Sequence, residues 1–167
     1  MIFSIRPIED SDLPAVLEVY RHSEDFLALG PAAAASLQMI AADRALSRQE
    51  GGLYCGIFYP QENKPDRLAG ILDYTLQLPG QPGILFIELL MLARAERGRG
   101  LGAAVVEWLL AQYGGQVSAL QAGVQVNNPG AVRFWQRMGF RITGPAEPQA
   151  DGTVAFPLER AAIRGSG

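Results

Sequence analysis

The sequence is 167 residues long, which fits one domain, and at 49% hydrophobic it carries enough apolar material for a real core. A formal net charge of -3 and an isoelectric point near 5.2 argue against a chain that coats nucleic acid or an anionic membrane, because both tasks need clustered Lys and Arg. Cys55 is the single cysteine and cannot form an internal disulfide, which fits a reducing compartment; a cytoplasmic protein with small-molecule partners is expected.

The N-terminus, MIFSIRPIEDSDL, has no basic region followed by an apolar run, and no segment approaches the roughly 20 apolar residues that span a bilayer. Residues 2–7 read as a short strand. Ser11 or Asp10 offers an N-cap for a helix carrying Leu13, Val16, Leu17 and Tyr20 at helical spacing. Gly30-Pro31 stops the next apolar stretch, and a second helix is expected over 32–49, ending at Gly51-Gly52.

Residues 53–59 and 68–76 are β-rich runs separated by the polar PQENKPDR, and they predict an antiparallel hairpin with a long loop. Residues 84–93 form the next strand, nearly all apolar, as a central strand covered on both faces would be. It feeds into a glycine-rich turn and then a helix with Leu101, Ala104, Val105, Trp108 and Leu109 as its apolar stripe. Gly114-Gly115 ends that helix before a strand at 119–126, which completes a βαβ unit.

Asn128 caps a last helix with Pro129 in its first turn, running to Met138, and Gly139 suits the left-handed position beyond it. Closing strands are expected at 140–143 and 154–158. Strands before and after one βαβ unit imply a mixed sheet flanked by helices in a single α/β domain, residues 1–160, with 161–167 as a flexible tail.

In Arg97-Gly98-Arg99-Gly100-Leu101-Gly102 a buried strand passes into a helix through residues that let backbone N–H groups converge. The helix N-terminus and two arginines add positive charge, so a diphosphate is the natural ligand. Gly98, Gly100 and Ala103 also satisfy a relaxed dinucleotide fingerprint, but no Asp or Glu occurs between Glu107 and Glu147 to hold a ribose. A P-loop is excluded because no Gly-Lys-Ser/Thr closes the turn.

That hexapeptide matches the acetyl-CoA signature of the GNAT superfamily of N-acetyltransferases, Gln/Arg-x-x-Gly-x-Gly/Ala, and the preceding LLMLARAE resembles the strand before it. The segment NPGAVRFWQRMGF, Asn128 to Phe140, resembles the superfamily's C-terminal Asn-x-x-Ala-x-x-Phe-Tyr-x-x-x-Gly-Phe segment. The resemblance covers about residues 84–143. It implies a twisted mixed sheet whose two central parallel strands splay to hold the pantetheine arm of acetyl-CoA. It also implies that backbone N–H groups from Arg97 to Gly102 hold the pyrophosphate and that Leu90, Met91 and Leu92 pair with pantetheine amides as an added strand would. Asn128 would reach the pantetheine or sulfur region. Trp135 stands where many members carry a tyrosine that protonates the departing thiolate; indole cannot do that, and Trp135 is expected to pack beside the pantetheine arm.

The superfamily transfers acetyl directly from the thioester to an amine, and an alkylammonium with a pKa near 10.4 needs a base. Glu88, the single charged side chain in residues 84–93, is the first candidate, acting directly or through water. Asp73 is a second carboxylate, assigned to acceptor binding. His22 ends a surface helix and is a poor base, Cys55 is read as an inert strand cysteine, and no metal-ligand spacing is present. The function expected is acetyl transfer to a small-molecule amine by a monomer or homodimer, with a catalytically silent acetyl-CoA-sensing module as the alternative.

Overall fold

The computed structural model describes residues 1–76 and 80–162. Ala161, expected in a tail over 161–167, still belongs to a strand, and 163–167 lie outside the described residues.

β1 (Ser4–Pro7) leads into a 3-10 turn at Asp10–Asp12 and then α1 (Leu13–Arg21). The cap expected at Ser11 or Asp10 is replaced by a capping box that starts at Glu9. The Asp12 carboxylate accepts from the Glu9 N–H at 2.8 Å and also pairs with both terminal nitrogens of Arg6. The helix expected over 32–49 is likewise shorter. Ser36 is extended and its hydroxyl accepts from the Met39 N–H at 3.1 Å, so it caps α3 (Leu37–Gln49) and leaves the preceding alanines outside. Alanine propensity gains only tenths of a kcal/mol per residue over ordinary residues, whereas a serine cap contributes about 1 kcal/mol. A four-residue helix that the pattern did not predict, α2 (Glu24–Leu27), occupies the connection.

The remaining elements follow the expected order with small shifts at their ends. They are β2 (Leu53–Tyr59), β3 (Arg67–Leu76), β4 (Ile84–Leu92), α4 (Leu101–Tyr113), β5 (Ala119–Gln125) and α5 (Pro129–Arg137). Two short strands, β6 (Arg141–Ile142) and β7 (Glu147–Pro148), precede β8 (Val154–Ala161). Only β8 had room for a long ladder, and β7 carried no strand pattern of its own.

The strands form one mixed sheet in the order β1-β2-β3-β4-β5-β8-β6, with β7 also on β8. Every pair is antiparallel except β4 with β5, which the α4 crossover makes parallel. The two faces bury separate cores. Leu101, Val105 and Leu109 of α4 and Trp135 of α5 pack on one face against Leu85, Ile87 and Leu120; Val16 and Tyr20 of α1 and Ile40 of α3 pack on the other against Ile71 and Met91. No described helix is long and apolar enough to cross a membrane.

One irregularity positions the site. Asp73 of β3 lies opposite Leu89 and Tyr74 opposite Ile87, so Glu88 is an extra residue in β4. This β-bulge inverts the alternation of the strand: Leu85 and Ile87 face α4, whereas beyond the bulge it is Leu90 and Leu92 that pack toward α4 and Met91 that enters the α1/α3 core.

Candidate active site

The two central strands part at that bulge. β4 pairs with β5 only over Ile84–Ile87, opposite Ala119–Ala122, while β3 holds β4 to Leu92 and β8 holds β5 to Gln125. From Glu88 onward β4 therefore has one open edge. The Ala93 N–H donates to Ala69 O of β3 at 3.0 Å, so by alternation Met91 also turns its main chain to β3 and Leu90 and Leu92 turn theirs to the opening. Leu92 O is already engaged, accepting from Ser23 Oγ at 3.2 Å and from Arg97 Nε at 3.0 Å. Among the three strand residues predicted to pair with pantetheine, Leu90 is the one with its main chain at the open edge and no partner there among the described residues.

The opening continues into the glycine-rich turn. Gly98 and Gly100 have φ of +73° and +84°, a left-handed conformation that a side chain strongly disfavours. Gly100 is the N-cap of α4, and the N–H groups of Leu101, Gly102 and Ala103 in its first turn have no helical partner. Leu101 contributes main chain alone, since its side chain is 1% exposed in the core. Gly102 has a further reason to be glycine: a Cβ there would lie 3.1 Å from the Phe134 ring, so its absence lets α5 close on α4. Arg99 is exposed and makes no ion pair with the described residues. Arg97, by contrast, is bound to Asp25 of α2 through both terminal nitrogens.

The strand edge, Arg97 and the glycines of the turn line a cleft of about 650 Å³, with Asn128 and Trp135 on its α5 side and Arg99 outside the lining. Asn128 is the N-cap of α5, accepting from the Ala131 N–H at 3.2 Å. Trp135 is 7% exposed and packs edge to face on Phe134 and Phe140, with ring centroids 5.2 and 4.9 Å away. No tyrosine is among the described residues that line the cleft. A turn whose glycines leave the backbone bare, beside a strand with an unpaired main-chain edge, fits a ligand with a diphosphate at one end and amides along its length.

Residues 15–140 match the model of the Acetyltransferase (GNAT) family. The chain belongs to that family. It is an acetyltransferase, and its donor cosubstrate is acetyl-CoA. Its fold superposes on an acetyltransferase from Thermus thermophilus with a TM-score of 0.78 at 25% identity, covering 96% of this chain and 97% of that one. It also resembles the ribosomal-protein-S18-alanine N-acetyltransferase of Escherichia coli, at TM-score 0.65, 19% identity and 99% and 97% coverage. The spermidine N-acetyltransferase of Vibrio cholerae, solved with CoA and spermine, superposes at TM-score 0.70, 12% identity and 96% and 95% coverage. No curated protein matches the sequence.

In this acetyltransferase the carboxylates of Glu88, Asp73 and Asp43 lie around the bulge and outside the lining of this cleft, which Asp25 alone among the acids enters among the described residues. Glu88 keeps solvent access, yet its carboxyl pKa is raised, first by partial burial and then by the charges of Glu50, Asp73 and Asp43. Asp73 is 4% exposed and accepts from Ser47 Oγ at 2.7 Å; burial pushes its carboxyl up to about 6 against that hydrogen bond. Burial also raises Asp43, which accepts from Tyr20 at 2.6 Å, and Tyr20 shares a 2.6 Å hydrogen bond with the Tyr54 hydroxyl. His22 follows α1 as its C-cap, and Cys55 is buried with its thiol pushed up to about 11, which removes thiolate chemistry at neutral pH.

The raised pKa of Asp73 has a consequence for stability. A carboxyl whose folded pKa exceeds its unfolded value near 3.9 disfavours the fold once ionised, so the cost is absent below about 3.9 and complete above about 6. Asp73→Asn keeps the acceptor for Ser47 and removes the charge. Its melting temperature is expected to exceed wild type by about 4–8 °C at pH 8, corresponding to about 2 kcal/mol, and to converge with it near pH 4. A variant less stable than wild type at both pH values would show that ionised Asp73 is not a liability.

Sequence reasoning missed Asp25 and Phe26 as lining residues. Nothing in the run DFLALGP signals a contact with Arg97, 72 residues away.

Proposed function

We propose that the protein works in the cytoplasm and transfers acetyl directly to the amine of a small-molecule acceptor, with Glu88 as the base. The observation that carries this reading is the bulge: it opens the main-chain edge of β4 and sets a carboxylate at the same point of the strand. The surrounding Asp43, Glu50 and Asp73 favour a cationic acceptor over an anionic one.

Acetyl-CoA, when bound, supplies an activated thioester whose thiolate, from a thiol with a pKa near 8.5, is a tolerable leaving group. Leu90 offers its N–H and C=O to pantetheine amides. The backbone from Gly98 to Gly102 and the N-terminus of α4 receive the pyrophosphate, with Arg97 and Arg99 adding charge. Glu88 as carboxylate takes a proton from the acceptor ammonium, directly or through water, and its raised pKa brings it closer to the working pH. Asn128 stays the cap of α5 and presents its remaining amide donor to the cleft.

Trp135 is assigned a packing role. Trp135→Phe is expected to keep most of its turnover at a stability cost of about 1–2 kcal/mol, and Trp135→Tyr to keep or modestly raise turnover. Loss of turnover in Trp135→Phe, with folding and acetyl-CoA affinity unchanged, would assign the indole N–H a direct role.

The experiment that tests the reading is a panel of small amines, including amino acids and polyamines, assayed with acetyl-CoA by release of free thiol. Turnover with at least one small amine is expected. Thiol release with peptide N-termini alone would move the acceptor class to proteins, and release with no amine would favour a sensing module.

A further inference from the structure

Residues 22–30 cross the mouth of the donor cleft and are tied down on both sides of the splay. At the end of β4, the Arg94 N–H donates to His22 O at 3.0 Å and Ser23 Oγ donates to Leu92 O at 3.2 Å. At the β5–α5 junction, Asn127 Nδ2 donates to Leu29 O at 3.3 Å. Between these points Asp25 takes the Arg97 guanidinium in a bidentate pair at 2.5 and 3.1 Å. Leu29 lines the donor cleft and also a second cavity of about 450 Å³ bounded by Gly30, Pro31, Asn127 and Thr153. The segment therefore stands as a wall between two cavities.

Its central tie uses a group that the donor also needs. Arg97 sits at the start of the glycine-rich turn, and all three of its guanidinium nitrogens are engaged, two by Asp25 and one by Leu92 O. The Asp25 carboxylate itself faces the cleft, and Arg97 holds its pKa below the usual carboxylate range, so it is a fixed negative charge where a diphosphate must come. The pair is not buried, with side chains 35% and 46% exposed, so an incoming anion can displace it.

We propose that Asp25 competes with the donor's diphosphate for Arg97, making the pair a clasp that donor binding opens and that thereby frees the wall between the two cavities. This rests on the reading of the cleft as the acetyl-CoA site. By linkage, removing the hold of Asp25 on an intact Arg97 tightens the donor.

The test is calorimetric titration of the full chain with CoA in wild type, Asp25→Asn, Arg97→Gln and the double variant. An exposed bidentate pair predicts that Asp25→Asn binds CoA about two- to fivefold tighter. No such gain is expected in the Arg97→Gln background. Ligand-free Asp25→Asn should also be cut faster than wild type by chymotrypsin at Phe26. Equal or weaker CoA binding by Asp25→Asn overturns the proposal, as does a gain that persists in full without Arg97, which would reduce the effect to net charge. An unchanged cleavage rate overturns release of the wall. Failure of wild type to bind CoA at all overturns the donor-site reading itself, which none of the other outcomes does.

Discussion

Gly100→Glu is expected to weaken CoA binding by about 10²- to 10³-fold, the scale of one like charge set within several ångströms of a diphosphate near a protein surface. Two effects must be separated. Gly100 has φ +84° at the N-cap of α4, so any side chain there carries about 1–2 kcal/mol of backbone strain. A Cβ would nevertheless meet only Met1 Cε, at 3.9 Å, so the fold has room for it. Gly100→Ala shares the strain and lacks the charge, and it should lose a modest part of its thermal stability while keeping most of its CoA affinity. Calorimetry and thermal melts on the two variants make the comparison. Equal affinity of the Glu and Ala variants would place the diphosphate away from this turn.

Glu88→Gln is expected to lower kcat by about 10²- to 10⁴-fold, the usual range for a lost general base, with acetyl-CoA affinity unchanged because Glu88 lies outside the lining of the donor cleft. The pH profile carries the sign. The base works as carboxylate, so wild-type kcat rises with pH through a carboxyl pKa that burial and neighbouring charge have raised above the ordinary value. In the Gln variant that limb disappears, and the remaining rate follows deprotonation of the acceptor amine, so the deficit shrinks at high pH. Asp73, whose carboxyl burial also raises, to about 6, is the control. If Asp73→Asn erases the acidic limb while Glu88→Gln retains it, the base is Asp73 and this assignment is wrong.

Local chemistry made some elements legible and left others hidden. Asn128 before α5, Pro129 in its first turn and Gly139 after it could be read from the sequence because a cap, a first-turn proline and a left-handed glycine act within a few residues. The helix predicted from residue 32 failed because Ala32 to Ala34 are exposed and have only propensity to hold them in a helix, and Ser36 ends the competition locally. β7, two residues long, owes its existence to β8 alongside it.

For the site, the sequence by itself determined the chemistry available: a glycine-rich turn after an apolar strand, two arginines, one acid in that strand, and tryptophan where a tyrosine is usual. These are properties of residue types at fixed spacing, and spacing survives folding. Which of them face the opening was decided by the tertiary structure alone. Inserting Glu88 as a bulge shifts the alternation of β4 by one, which turns Leu90 rather than Met91 to the open edge. No one-strand pattern predicts that, because a bulge is defined by its partner strand. The pairing of Arg97 with Asp25 is of the same kind: two exposed charges far apart in sequence meet only because the α1–α3 connection is laid across the splay, and their competition with the donor follows from that placement.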